Sequence, residues 1–454
     1  MSMSIIILAA GQGKRMYSAK PKVLHELAGK PLLEHVYGTA SPLADGQLFV
    51  VYGHGGERLR ERLGHLAVHW IEQTEQLGTG HAVAQALPSI PHNDTVLVLY
   101  GDVPLIGQQT LRRLMRASDN GGLGLLTVEL DDPTGYGRIV RDKRGAVIRI
   151  VEHKDASDEQ LKIREINTGF LAVAAERLKA WLDRLDNRNA QGEYYLTDIV
   201  QMAVSENLSI NTVGPDLVHE VLGVNNPAQL ATLERYYQGI QAQRLMTEGV
   251  TIIDPQRFDL RGTLLTGRDC VIDVNVVLEG QVSLGDNVKI GPNVCIRDAR
   301  LGDDITVFAN CVIEEAQIGR GARIGPFARL RPETSLAENV HIGNFVEIKK
   351  SDVASGTKIN HLSYVGDSDV GERVNIGAGT ITCNYDGANK HRTIIGDDVF
   401  IGSNTQLIAP VTIGDGATIG AGTTVTKEVP SGVLALSRVD QKVIAHWRRP
   451  QKKK

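Results

Sequence analysis

The chain has 454 residues, too many for one ordinary core and enough for two or three domains at about 150 residues each. An apolar share of 42%, a charged share of 22% and a net charge of −4 describe a globular protein without the cation excess of a general nucleic-acid binder. No apolar run approaches the roughly 20 residues that span a bilayer, and Met1 to Ala10 carries no basic leader or cleavage pattern. The expectation is a cytoplasmic protein with neither nucleic-acid nor membrane partners.

The first 225 or so residues alternate strand and helix patterns. Ser4 to Ala10 is a short apolar run ending at Gly11, and Gln47 to Tyr52 and Thr95 to Tyr100 repeat it, each stopping at a glycine. Amphipathic stretches, Leu32 to Ala40 and Gly80 to Ala86, lie between them, which predicts a doubly wound sheet. After the first strand the chain reads Leu8-Ala9-Ala10-Gly11-Gln12-Gly13-Lys14-Arg15-Met16, with Lys22 following. Two glycines let backbone N–H groups approach phosphate oxygens, and Lys14, Arg15 and Lys22 add positive charge. A tight turn with solvated cations is the plainer alternative, because the loop lacks the full G-x-G-x-x-G and GK[ST] patterns. The third strand ends in Tyr100-Gly101-Asp102, which puts a carboxylate at the carboxyl edge of the sheet, where such folds bind ligands. Helix capping is the alternative role for Asp102. Gln73, Gly78 and Thr79 could read a nucleobase through amide and backbone groups, and Gly137, Glu152, Asn167 and Asn225 lie where further loops could close the site.

A helix is predicted over residues 227–249, with Asn226 as cap, Pro227 in its first turn and Gly249 as terminator. Leu230, Leu233, Tyr237 and Ile240 would form its apolar face, toward its own domain or as a connector between two. Beyond it aliphatic residues recur every six positions, with a five or seven between triplets, from Leu284, Ile290 and Ile296 to Ile413, Ile419 and Val425. Neither a helix nor a sandwich has that period. A parallel β-helix does: six residues make one strand and one turn, three such units make a triangular coil, and the aliphatic residue points inward. Some nine coils at about 4.8 Å each are expected, beginning slightly before Leu284, at Ile272 and Leu278. Cys270, Cys295, Cys311 and Cys383 lack C-x-x-C spacing and read as packing residues of this region. The series breaks once, between Ile376 and Ile395, at a Gly/Asn-rich segment that reads as an ejected functional loop. Around it gather Arg331, Lys349, His361, Tyr364, Asn375, Asn384 and Tyr385. A histidine among cations is placed to deprotonate an amine, although an inert spacer would also use this fold. The end, Trp447 to Lys454, is a solvated basic tail or a cover for ligand phosphates on a neighbouring subunit.

The loop after the first strand, the Tyr-Gly-Asp-Val-Pro-Leu strand end, and the segments DPTGYGR, VEHKDA, EINTG and GVNN resemble sugar-1-phosphate nucleotidylyltransferases. Joined to a hexapeptide β-helix, they resemble across nearly the whole chain the bacterial bifunctional N-acetylglucosamine-1-phosphate uridylyltransferase/glucosamine-1-phosphate N-acetyltransferase family. The resemblance implies an α/β chain: a Rossmann-like nucleotidyltransferase domain over 1–226, a linker helix over 227–249, a left-handed parallel β-helix over 250–436 and a basic tail over 437–454. It implies acetylation of glucosamine-1-phosphate by acetyl-CoA, then UMP transfer from UTP to N-acetylglucosamine-1-phosphate, for peptidoglycan and lipopolysaccharide precursors. Leu8, Ala9, Ala10, Gly11, Arg15 and Lys22 would line the UTP phosphates, and Gln73, Gly78 and Thr79 would hold the uracil. Tyr100 and Gly101 belong to the same site. Asp102 and Asn225 would bind Mg2+, while Gly137, Glu152 and Asn167 hold the sugar. In the β-helix, His361 would be the general base, with Arg331, Lys349, Tyr364 and Asn375 around glucosamine-1-phosphate. Ala378, Asn384, Tyr385, Ser403, Ala421 and Arg438 would contact acetyl-CoA. The family works as a homotrimer, since flat solenoid faces need neighbours to wall a site.

Overall fold

Ile5, Ile6 and Ile7 are fully buried in strand β1 (Met3–Ala9), as a strand covered on both faces requires. The computed structural model describes residues 2–11, 13–53 and 55–452 and divides into two units, Met1–Tyr237 and Gln238–Lys454. Gln12 of the glycine loop and the last two lysines of the tail lie outside the described residues.

In the first unit β1 is followed by α1 (Leu32–Ala40), β2 (Leu48–Tyr52), α2 (Gly56–Leu63), β3 (His69–Glu72), α3 (Thr79–Ala86) and β4 (Thr95–Tyr100). Then come α4 (Gln108–Ala117), β5 (Leu123–Glu129), β6 (Arg138–Arg141), β7 (Val147–Val151), β8 (Glu165–Ala174), α5 (Ala175–Leu182), α6 (Ile199–Ser205) and β9 (Ile210–Val213). The strands lie in the order β9-β5-β8-β4-β1-β2-β3, with β6 beside β8 and β7 beside β6. Strand alternation feeds two cores. Ile5, Ile7, Val50 and Leu97 enter one, while Ile6, Val51, Val96 and Val98 enter the other. β1 runs parallel to β2 and β4, but β8 is antiparallel to β4 and β5. The sheet is therefore mixed rather than wholly doubly wound. The chain reaches β8 through the antiparallel pair β6–β7, without the long crossover helix that a parallel return needs.

Helix α7 (Pro227–Thr247) is capped as its sequence suggests: the Gln229 N–H donates to Asn226 Oδ1 at 2.9 Å. At its far end Gly249 takes φ +102°, while its own N–H bonds Met246 O and that of Val250 bonds Leu245 O. That is a Schellman stop. The expected apolar face holds through Tyr237 and fails beyond it, because Ile240 is exposed and Gln238 is buried. The helix changes core partway along. Leu233 packs with Val224 in the first unit, whereas Ala242 and Leu245 pack in the second. Gln238 tolerates burial because its amide both donates to and accepts from the backbone of Leu260, at 3.0 and 2.8 Å.

The second unit is a parallel solenoid. One face carries eleven strands, from Thr251–Ile252 to Leu434–Ala435, so it starts earlier and ends later than the expected nine coils. Every aliphatic position of the six-residue series is buried, from Leu284 to Val425. The break is shorter than expected. Ile381–Cys383 is still a strand with Thr382 inward and buried, where its Oγ1 accepts from the Gly366 N–H at 2.8 Å. Threonine hid this coil from an aliphatic pattern. Only the stretch after Cys383 leaves the prism, as a small hairpin bridged between Tyr385 and Lys390. Cys270 and Cys311 are core residues, but Cys295 and Cys383 are partly exposed beside inward neighbours, which corrects their reading as packing residues.

Candidate functional sites

The order β3-β2-β1-β4 places a switch point between β1 and β4, where the loops after the two strands diverge. At that edge lies a cavity of about 560 Å3, lined by Leu8, Ala9, Ala10, Gly11, Arg15, Lys22, Gln73, Gly78, Thr79, Tyr100, Asp102 and Asn225. The Gly101 N–H, bonded to Leu8 O at 2.9 Å, ties the ends of β1 and β4 together. A Cβ on Gly11 would meet nothing within 4 Å, so the residue leaves open space over the loop. Gly13 is different: at φ +62° a Cβ would fall 2.8 Å from Lys22 Cβ, so this glycine lets Lys22 close over the turn.

Lys22 is not a solvated cation. Its ammonium forms an ion pair with Asp102 and donates to Asn225 Oδ1 at 3.2 Å, and Arg15 donates to the same oxygen at 3.0 Å. The side chains of Lys22 and Asp102 are only 14% and 15% exposed, which removes most of the solvent screening of the pair. Asp102 caps no helix, since α4 begins after Gly107. Asn225 is held from behind, where its N–H donates to Gln229 Oε1 at 2.8 Å. Gln229 and Gln76, which donates to Ala10 O at 3.0 Å, are supports that the motifs did not mark. A wider cleft on the other side of the loop, between Lys20, Arg58, Trp70 and Glu72, does not reach Asp102.

Gly137 just before β6, Glu152 just past β7 and Asn167 on β8 form a neighbouring group. The Asn167 N–H donates to Gly137 O at 2.8 Å, and a Cβ on Gly137 would lie 3.4 Å from the Glu152 carboxylate. Burial pushes the Glu152 carboxyl above the ordinary carboxylate range, against a 3.0 Å hydrogen bond from Thr197 Oγ1. Burial also raises the Tyr100 phenol, with Glu152 and Asp102 adding to the effect. Tyr100 thus feels the charges of both groups.

In the solenoid, parallel pairing stacks equivalent residues one coil apart. Asn344 lies opposite His361, and its Oδ1 accepts from His361 Nδ1 at 2.9 Å. That bond puts the proton on Nδ1 and leaves Nε2 as the basic nitrogen of an exposed ring. Arg331 pairs with Glu347 at 2.9 Å, and Lys349 follows on the same strand. The Lys390 ammonium of the hairpin holds that of Lys349 below the ordinary lysine range. Asn384 is buried, donating to Asp367 Oδ2 at 2.5 Å and to the Tyr364 hydroxyl at 3.4 Å. Arg331, Lys349 and Lys390 therefore gather as neighbouring cations, with Asp367 beside the two lysines and Glu347 paired to Arg331.

Sequence reading missed Asn344, Glu347, Asp367 and Lys390. The repeat itself could have found Asn344, since the step from Ile342 to Ile359 carries Asn344 onto His361. Asn375 stacks between Lys358 and Phe400, on the strand next to the one that carries His361. Tyr385 turns back on its own hairpin, donating to Gly387 O at 2.6 Å. Ala378, Ser403 and Ala421 occupy successive turns of one column, joined by the Asn404 N–H to Ala378 O and the Gly422 N–H to Ser403 O. Exposed Arg438 lies against Gly420, beside Ala421. Among the described residues no three His, Cys, Asp or Glu gather as a metal centre, and no helix is long and apolar enough to cross a membrane.

Residues 5–164 match a family model described as the MobA-like NTP transferase domain, and residues 265–298 and 392–427 match the bacterial transferase hexapeptide. Residues 320–409 match the GMPPB C-terminal domain. The chain is 60% identical over 452 residues to the Bifunctional protein GlmU of Azoarcus sp. (strain BH72), covering 100% of both chains. It is 59% identical to the GlmU of Methylococcus capsulatus, covering all of this chain and 98% of that one. The GlmU of Aromatoleum aromaticum is also 59% identical, with 99% of its length covered. With both transferase segments present and full-length identity near 60%, the chain belongs to the bifunctional GlmU family and is an acetyltransferase and uridylyltransferase in one polypeptide.

Proposed function

We propose that the two activities divide between the two sites, uridylyl transfer at the edge of β1 and β4 and acetyl transfer at the Arg331–Lys349–His361 cluster. The observation that carries the first assignment is the Lys22–Asp102–Asn225–Arg15 network beside the open Gly11 turn. UTP enters with its phosphates against Gly11, Arg15 and Lys22 and its base against Gln73, Gly78 and Thr79. N-acetylglucosamine-1-phosphate lies against Gly137, Glu152 and Asn167. A phosphate oxygen of the sugar attacks the α-phosphorus, the bond to the β-phosphate bridging oxygen breaks, and pyrophosphate leaves. Lys22 and Arg15 neutralise charge on the phosphates, and no protein nucleophile takes part.

Asp102 and Asn225 fit Mg2+. They offer one carboxylate and one amide oxygen on either side of the Lys22 ammonium, and Mg2+ takes one or two protein oxygens and fills its shell with water and phosphate. When bound, Mg2+ supplies charge neutralisation to the phosphates.

In the solenoid, His361 Nε2 takes a proton from the amine of glucosamine-1-phosphate while Arg331 and Lys349 hold its phosphate, with Tyr364 and Asn375 lining the sugar. The nitrogen then attacks the acetyl-CoA carbonyl, the carbon–sulfur bond breaks, and the thiol of CoA leaves. The Ala378 N–H, which donates to no backbone carbonyl among the described residues, suits the oxyanion. Asn384, Tyr385, Ser403, Ala421 and Arg438 line the CoA path.

A homotrimer built through the solenoid completes this reading. One corner position adopts positive φ in coil after coil and holds Asn293, Asn310, Gly379 and Asn404, but its middle coils hold Phe327, Phe345 and Leu362, all exposed. Bulky side chains pay strain there, and a second copy covering them offsets it. The proposed domain limits remain 1–226, 227–249, 250–436 and 437–454, and the four free cysteines suit a cytoplasmic enzyme. One coupled assay tests the division. Thiol release from acetyl-CoA with glucosamine-1-phosphate and pyrophosphate release from UTP should both occur, and loss of either from the intact chain overturns it.

A further inference from the structure

Gln73 is 3% exposed, yet it lines the cavity, and its Oε1 takes no partner among the described residues. Its Nε2 is fully used. One hydrogen goes to Gly78 O at 3.1 Å and the other faces His81 Nδ1 at 3.0 Å. His81 stands on α3, and one turn later Gln85 brings its own amide to His81 Nε2 at 3.1 Å. A neutral imidazole accepts at one nitrogen only, so one of the two amides must present oxygen to the ring. Gly78 decides which. Turning Gln73 would set its Oε1 against the Gly78 carbonyl, two acceptors in contact, whereas Gln85 is bound otherwise only by a 3.3 Å contact to His81 O. Gln85 therefore turns its oxygen to the ring, Nε2 carries the proton, and Nδ1 accepts from Gln73.

From this we infer that His81 is a positioning residue for nucleobase selection. Together with Gly78 O it holds the Gln73 amide with its oxygen toward the cavity, where it accepts from a ring N–H. A pyrimidine with two carbonyls carries an N–H between them. Cytosine presents a bare acceptor nitrogen there and is repelled by the same oxygen. The inference rests on the proposed placement of the base at Gln73.

The test compares kcat/KM for UTP with that for CTP in the full chain, using N-acetylglucosamine-1-phosphate and Mg2+, with thermal unfolding followed alongside. His81→Ala should lower the UTP/CTP ratio by about tenfold, because an amide held only at Gly78 O can turn and present either atom to the base. His81→Asn and His81→Gln sharpen the test. Asn can place an acceptor near the Nδ1 position and should keep the ratio, whereas Gln places it near Nε2 and should lose it. A purely structural role would lower both nucleotides together and leave the ratio alone. Wild-type ratios in both His81→Ala and His81→Gln overturn the inference, and the Asn/Gln pair decides if the alanine variant does not fold. Gln73→Ala separates the two layers. If it leaves the ratio unchanged, the placement of the base at Gln73 fails; if it collapses the ratio while the His81 variants do not, only the positioning role fails.

Discussion

The two sites are assembled by opposite rules. At the sheet edge Lys22, Asp102 and Asn225 meet across 80 and 203 residues of chain, because parallel strands deliver distant loops to one edge. In the solenoid Asn344 and His361 meet across 17 residues, because each coil lays its side chains on those of the last. Convergence over long range makes a deep, desolvated ion pair. Stacking over short range makes a column of groups on an open face, as the exposed His361 ring illustrates. The first site shields its ion pair within one unit, whereas the second leaves the His361 ring open.

The largest expected effects come from removing one site's chemistry and reading the other. His361→Ala should cut acetyl-CoA turnover by about 10² to 10⁴, the usual cost of a lost general base, and leave uridylyl transfer intact. The coil should survive, because Ile359 and not His361 fills its interior. Residual turnover should climb as pH rises toward the pKa of the substrate amine. Near-normal turnover at pH 7 would remove His361 from the mechanism.

Asp102→Asn tests the other pole. Loss of the carboxylate should lower UTP-dependent pyrophosphate release by at least about 10², with weaker metal binding, while acetyl transfer continues. Parallel loss of both activities in a folded variant would contradict two independent sites.

Smaller effects probe stability. Thr382→Val replaces an inward hydroxyl with a methyl and strands the Gly366 N–H, so it should cost about 1 to 3 kcal/mol in denaturant unfolding of the full chain. A neutral result would mean that this coil is held by shape alone. The smallest change is expected at Glu152, whose carboxyl is raised by burial. The folded state keeps that proton longer than the unfolded state, so stability falls as pH climbs from the ordinary carboxylate range through the raised value. Glu152→Gln should flatten that fall and modestly raise the unfolding midpoint of the full chain at pH 7. A steeper fall in the variant would reverse the assigned sign.

Periodicity and turn chemistry were legible without coordinates. Ile5 to Ile7 announced a buried strand, Asn226 and Gly249 marked the helix ends, and the six-residue series placed each aliphatic residue in the prism interior. Such signals are local, because one residue's burial or cap depends on neighbours within a few positions or one coil. Three things needed the tertiary structure. The reversal of β8 depends on how the chain returns to the sheet, and no residue of Glu165–Ala174 encodes direction. The rotated stripe of α7 depends on which core each half meets, so Gln238 is buried because Leu260 offers it backbone partners. Thr382 is inward because Gly366 satisfies its hydroxyl, a pairing across coils that an aliphatic pattern does not register. Composition and spacing determined which groups were available for phosphate, metal and amine chemistry. Only the fold decided that Asp102 faces Lys22, that Asn344 bonds His361 Nδ1, and that Gly78 and His81 meet the Gln73 amide, because each is a hydrogen bond between atoms whose separation the linear chain leaves open.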